Sequence, residues 1–148
     1  MGAGTSATQL IFFITSVIIA LSVVGTMFLN IESISTAAVA GSKTLTEQLR
    51  TDITIINDPE LIPNSGDRYT FYVKNTGKED LGTEYITVII DGAIVPDSSL
   101  NKTILSGQTM WLSEDVLAIN ATTSLQTGSH SLRVITGNGI EDTFSFRT

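Results

Sequence analysis

Leu10 to Ile31 reads LIFFITSVIIALSVVGTMFLNI, and no charged side chain occurs from Met1 to Ile31. A helix of that length covers roughly 30 Å, the hydrocarbon thickness of a bilayer. The stretch therefore predicts one membrane-spanning helix, with lipid as its surroundings. A cleaved secretory signal has a basic leading region and an apolar core of roughly 7–15 residues. Neither feature is present, so the helix is expected to remain as an anchor. Thr15, Ser16, Ser22, Gly25 and Thr26 interrupt the apolar surface. Small residues let helices approach closely in lipid. Ser22, Gly25 and Thr26 are accordingly candidates for helix–helix contact, although a generic membrane helix also tolerates them.

The helical pattern continues past the apolar run. Ile31, Ile34, Ala38, Gly41, Leu45 and Leu49 recur at steps of three and four, which places them on one helix face. Ser33, Thr36, Lys43, Glu47 and Arg50 fall largely off that stripe. The spacing predicts a continuous helix from about Thr5 to about Leu49. Its second half would be an amphipathic stalk, packing through Ile31, Ile34, Ala38 and Leu45 on copies of itself or on its own domain. Lys43 and Arg50 follow the span, but Glu32 and Glu47 accompany them, so the positive-inside rule hardly sets orientation.

After residue 50 the period changes to two. Ile53 and Ile55 alternate with Asp52 and Thr54 until Asn57-Asp58-Pro59 stops the run. Tyr69 to Asn75 places Tyr69, Phe71 and Val73 on one face and Thr70, Tyr72 and Lys74 on the other. Asn75-Thr76-Gly77-Lys78 reads as a turn, with Gly77 expected at positive φ. Tyr85 to Asp91 reads as a third strand, and Asp91-Gly92 as a tight hairpin into Ala93–Val95. Further strands are expected at Thr103–Leu105, Thr109–Leu112, Val116–Asn120, Ser129–Thr136 and Ile140–Phe146. Seven or eight short strands punctuated by turns predict a small β-sandwich. The about 97 residues from Asp52 onward suffice for one domain with one modest core. The chain divides into residues 1–50, a membrane helix with its stalk, and residues 51–148, the sandwich.

Composition narrows the chemistry. The net charge is -7, and from Asp52 onward 13 acidic residues face 6 basic ones. Nucleic-acid binding, which needs a basic face, is not expected. With no cysteine, disulfides and thiolate-based metal or cluster sites are excluded. His130, the sole histidine, stands at a strand start with no nucleophile or orienting acid in pattern, and reads as a polar edge residue. The acidic residues follow no calcium-loop spacing and read as solvated turns. No catalytic, cofactor or metal site is expected, and the protein is not expected to be an enzyme. Trp111, between Met110 and Leu112, reads as core or rim packing, as an aromatic interface anchor, or as a carbohydrate-stacking surface. Val88, inside the apolar YITVIID run, would form a sticky edge if that strand were uncovered. Asn101-Lys102-Thr103 and Asn120-Ala121-Thr122 are N-glycosylation sequons, meaningful only on an exterior domain.

Taken together, the segments MGAGTSATQLIFFITSVIIA, DITIINDPELI at 52–62, YVKNTGKEDL at 72–81, IDGAIV at 90–95, the MWL around Trp111 and HSLRVITGNGIEDTFSF at 130–146 resemble the archaeal flagellum (archaellum) accessory proteins. The likeness is to the flagella-related G type, by the INDP and VKNTGK wording, more than to its sister F type. It implies a pilin-like amino-terminal helix in the cytoplasmic membrane and an immunoglobulin-like sandwich outside it. It also implies a non-enzymatic, stator-like role between membrane and surface layer, with protein F as partner. The basic residues that class III signal processing uses just before the cleavage point are missing, so the likeness need not extend to cleavage. Two further roles are consistent with the same residues. One is a module that binds surface-layer protein directly, through Trp111 and the acidic loops. The other is a minor pilin-like subunit within a filament. Self-association is expected in the structural role.

Overall fold

A computed structural model describes residues 2–148. The helix α1 runs Gly2–Arg50 without interruption and buries none of its residues. Hydroxyls inside its apolar part bond back to the preceding turn. Thr15 Oγ1 donates to the Ile11 carbonyl at 2.8 Å, Ser22 Oγ to Ile18 at 2.8 Å, and Thr26 Oγ1 to Val23 at 2.9 Å. Such back-bonding satisfies a hydroxyl within its own helix, without an outside partner. The chain forms two compact units, the first ending at Lys43 and the second running Thr44–Thr148.

In the second unit, β1 (Ile53–Ile55), β2 (Asn64–Ser65), β3 (Arg68–Asn75), β6 (Leu100–Ile104) and β7 (Val116–Thr122) make one antiparallel sheet, ordered β1-β3-β7-β6 with β2 beside the start of β3. The other sheet is β5-β4-β8-β9, built from β4 (Thr87–Ile90), β5 (Ala93–Val95), β8 (Ser129–Ile135) and β9 (Glu141–Arg147). Apart from the short, exposed β2, the strands of both sheets contribute residues to one shared core. Phe71, Val73, Leu117 and Ile119 from the first sheet meet Val88, Leu132 and Val134 from the second, all fully buried. Phe71 and Phe146 cross between the sheets as an edge-to-face pair at 5.2 Å. Lettering the strands without β2 gives A-B-E-D against C′-C-F-G, the strand order of an immunoglobulin-like sandwich.

Several expectations are corrected by this arrangement. Tyr85–Asp91 contracts to β4, which lies between β5 and β8 and so is no edge. Val88 is fully buried, so it offers nothing to a partner. Thr109–Leu112 is no strand. It contributes one isolated bridge, Leu81 to Trp111, because Gly107 at positive φ and the turn at Ser113–Asp115 leave too little chain for a ladder. Trp111 is fully buried and its Nε1 donates to the Asp115 carbonyl at 2.9 Å, which satisfies its one donor inside the fold. It is a core residue and is neither an interface anchor nor a sugar platform. The Asp91-Gly92 hairpin forms as read, with φ 51° and 79° at its two central residues.

Both flanks of the sandwich are closed by side chains or loops. On one, Asp142 Oδ2 accepts the Ile55 N–H at 2.8 Å, and Arg147 N donates to the Pro59 carbonyl at 2.8 Å. On the other, Lys102 Nζ donates to the Ile86 carbonyl at 3.2 Å and reaches Asp97 Oδ1 at 3.0 Å. Such ties discourage strand addition at sheet edges.

Candidate functional site

The chemistry of this chain concentrates where the last turn of α1 enters the sandwich. A helix end leaves carbonyls without partners. Here the sandwich supplies several. Lys78 N donates to the Arg50 carbonyl at 2.7 Å, Thr51 N to Gln48 at 3.2 Å, and Thr51 Oγ1 to Glu47 at 2.7 Å. Gln48 Nε2 donates to the Asn138 carbonyl at 2.9 Å, and Asn138 Nδ2 to Thr51 Oγ1 at 2.6 Å. Arg50 Nε lies 3.4 Å from Glu79 Oε2 and Arg50 Nη2 donates to the Lys78 carbonyl at 3.2 Å. β1 starts three residues after the helix ends, so no flexible linker intervenes.

The turn after β3 is shaped to receive this joint. Thr76 N and Gly77 N both donate to the Asp52 carbonyl at 3.0 Å, and Thr76 Oγ1 to Asp52 Oδ2 at 2.7 Å. A Cβ on Gly77 would sit 2.5 Å from the Arg50 carbonyl oxygen and 2.5 Å from the Asp52 nitrogen. Gly77 is therefore needed for close backbone approach, not for the positive φ expected of it. Asn75, fully buried, holds the turn from inside. Its Nδ2 donates to the Glu79 carbonyl at 2.9 Å and the Trp111 carbonyl at 3.1 Å, and its Oδ1 accepts Gly77 N–H at 3.1 Å. The buried polar residues Thr51, Asn75 and Thr136 all serve this end of the domain.

The interface candidates on α1 are all on its exposed surface. Ser22, Gly25, Thr26, Ile31, Ile34 and Ala38 lie in the first unit, and Leu45 lies in the second. A Cβ added at Gly25 meets nothing within 4 Å. Asn101 and Asn120 face each other across β6 and β7.

Sequence reading missed a second cluster, at the opposite end of the sandwich. His130 Nδ1 lies 2.6 Å from Asp91 Oδ2, and its Nε2 lies 2.6 Å from the Gln126 carbonyl. Both partners only accept, so both ring nitrogens donate and the imidazolium is favoured. The Asp91 hydrogen bond, then the Gln126 carbonyl, raise the His130 pKa above its ordinary 6.5, against a smaller opposing effect of burial. The Ser131 N–H, then His130, lower that of Asp91. This pair pins the β4–β5 hairpin to the start of β8.

Comparison with known proteins places the whole chain. The model of the archaeal-type flagellins matches residues 2–146. The chain belongs to the archaeal-type flagellin family. A relative from Methanocaldococcus jannaschii, provisionally named flagella-related protein G, is 31% identical over 142 residues, covering 93% of this chain and 92% of its own. A protein of the same provisional name from Methanococcus voltae is 31% identical over 146 residues, covering 93% of each. A looser likeness, at 15% identity and TM-score 0.45, is to the archaellum periplasmic stator protein FlaG from Sulfolobus acidocaldarius, covering 65% of this chain and 99% of that one. The complex of FlaF and FlaG from the same organism matches at TM-score 0.44 and 15% identity, over 62% of this chain and 90% of that one.

Two outcomes test the geometry of this flagellin-family chain. Gly77→Ala should destabilise the domain by about 1–3 kcal/mol, read as a lowered urea midpoint of the full chain in detergent. Gly82→Ala, where an added Cβ meets nothing within 4 Å, is the control and should stay close to wild type. An equal response in both variants would contradict the close approach at Gly77. The His130–Asp91 pair sets a pH dependence. A raised histidine pKa gives stability that is complete below 6.5 and fades as pH rises through the folded value. The lowered Asp91 pKa gives stability present above 3.8 and lost as pH falls through its folded value. Unfolding midpoints should therefore fall on the alkaline side of the histidine titration, and His130→Gln should flatten that fall.

Proposed function

We propose that this chain is a non-enzymatic structural component of the archaellum machinery. It forms a static element anchored in the cytoplasmic membrane by α1, with its sandwich outside and protein F as partner toward the surface layer. Residues 1–50 act as anchor and stalk, and residues 51–148 as the extracytoplasmic domain. The observation that carries this reading is the joint at Arg50–Asp52. A helix long and apolar enough to cross a membrane leads within three residues into the first strand of a folded domain, the layout of an anchored component. Membership of the flagellin family and the two relatives named flagella-related protein G support the same assignment. Self-association would use the exposed apolar surface of α1, including Ser22, Gly25, Thr26, Ile31, Ile34, Ala38 and Leu45. In lipid such contact draws on close packing of small residues.

A second reading, a minor subunit within the filament, is favoured by one specific observation. The family model that covers residues 2–146 is that of the flagellins. Copurification with sheared, washed filaments would support it over the static role.

Protease added to intact cells tests the placement. The stator reading expects cleavage within Asp52–Thr148 while the amino-terminal fragment stays in the membrane fraction. Full protection that is lost on opening the membrane would put the sandwich inside and overturn the proposal.

A further inference from the structure

The two sequons are neighbours in space but not equals. Asn101-Lys102-Thr103 lies on β6, an edge strand whose only ladder partner among the described residues is β7. Asn120-Ala121-Thr122 lies on β7, which pairs with β3 on one side and β6 on the other. Asn101 and Asn120 are direct register partners. Because alternate residues of a strand share a face, Asn101 and Thr103 project together while Lys102 turns toward the Ile86 carbonyl.

Accessibility separates them. Asn101 and Thr103 are both exposed, and Thr103 Oγ1 donates to Asn101 Oδ1 at 3.0 Å. The asparagine amide and the threonine hydroxyl, the two groups that define a sequon, therefore stand side by side on open surface. Asn120 is half-buried, and its Oδ1 accepts the Thr70 hydroxyl at 2.8 Å. It is flanked by Thr70 on β3 and Asn101 on β6. To present Asn120 in an enzyme groove, a central strand would have to leave both neighbours. Presenting Asn101 needs at most the peeling of one five-residue edge strand.

We infer that Asn101, and not Asn120, is an N-glycosylation site. The donor is an oligosaccharide carried on a lipid phosphate. The Asn101 amide nitrogen attacks the anomeric carbon, a C–N bond forms, and the bond from that carbon to the phosphate oxygen breaks. The amide gives up one proton and the lipid phosphate leaves, with no change of oxidation state. The sugar then lies over β6 and adds a covalent cover to the flank that Lys102 already ties. This inference rests on the proposal that the sandwich faces outward.

The test is the intact mass of the full chain purified from membranes of its own host, wild type beside Asn101→Gln, Asn120→Gln, Thr103→Ala and Thr103→Ser. External protease sensitivity is measured on the same cells. Wild type, Asn120→Gln and Thr103→Ser should carry the mass of one oligosaccharide above the sequence mass. Asn101→Gln and Thr103→Ala should fall to the sequence mass. Added mass that persists in Asn101→Gln and disappears in Asn120→Gln overturns the inference. Sequence mass in a wild-type protein that external protease cleaves overturns the glycosylation site alone. Sequence mass in a protein that is protected overturns both it and the outward placement.

Discussion

The backbone of Gly77 lies against the backbone of Arg50 and Asp52, closer than any side chain would permit. That contact fixes where the helix stops and where the first strand starts. With Arg50 capped by Lys78 N and Asp52 receiving Thr76 and Gly77, Ile53 is delivered in register opposite Asn75, and β1 pairs along β3. From β3 the ladder passes to β7 and β6, while Asn75 carries the fix inward to Trp111 and so to Leu81. Net hydrogen bonds contribute only about 1 kcal/mol each. The cost of leaving a buried group such as Asn75 unpaired is what makes the arrangement hard to disturb.

The joint is internal to one unit: the last turn of α1 and the sandwich both belong to Thr44–Thr148, and β1 starts three residues after Arg50. The rest of the domain is consistent with a part that must keep its shape. The core is shared by both sheets, each flank is tied, and among the described residues no buried side-chain polar atom lacks a partner. With no cysteine to cross-link it, that rigidity comes from packing and polar pairing alone.

Much of the fold was legible where periodicity is strong. Phe71 and Val73 on β3, Leu132 and Val134 on β8, and the Asp91-Gly92 turn all follow from local pattern. The joint was not. Gly77 looks like any turn glycine until the chain from residue 50 is laid across it. Asn57 ended the predicted strand, yet its side chain prolongs the ladder, accepting Tyr72 N–H at 2.6 Å and donating to the Thr70 carbonyl at 3.0 Å. Whether the apolar run at Tyr85–Asp91 would be covered was left open, because burial on both flanks depends on topology, which the run itself does not encode. Trp111 allowed several readings for the same reason, and His130 met Asp91 only through the pairing of β4 with β8.

The most direct test of the account is amide hydrogen exchange across residues 45–56 and 74–80 of the full chain in detergent. If the joint is integral to the sandwich, the amides of Thr51, Thr76, Gly77 and Lys78 will exchange only as slowly as the core strands β3 and β7, in one cooperative opening. If residues 48–52 exchange as a frayed helix end while β3 and β7 stay protected, the last turn of α1 is merely tethered to the sandwich, and the integral joint is contradicted.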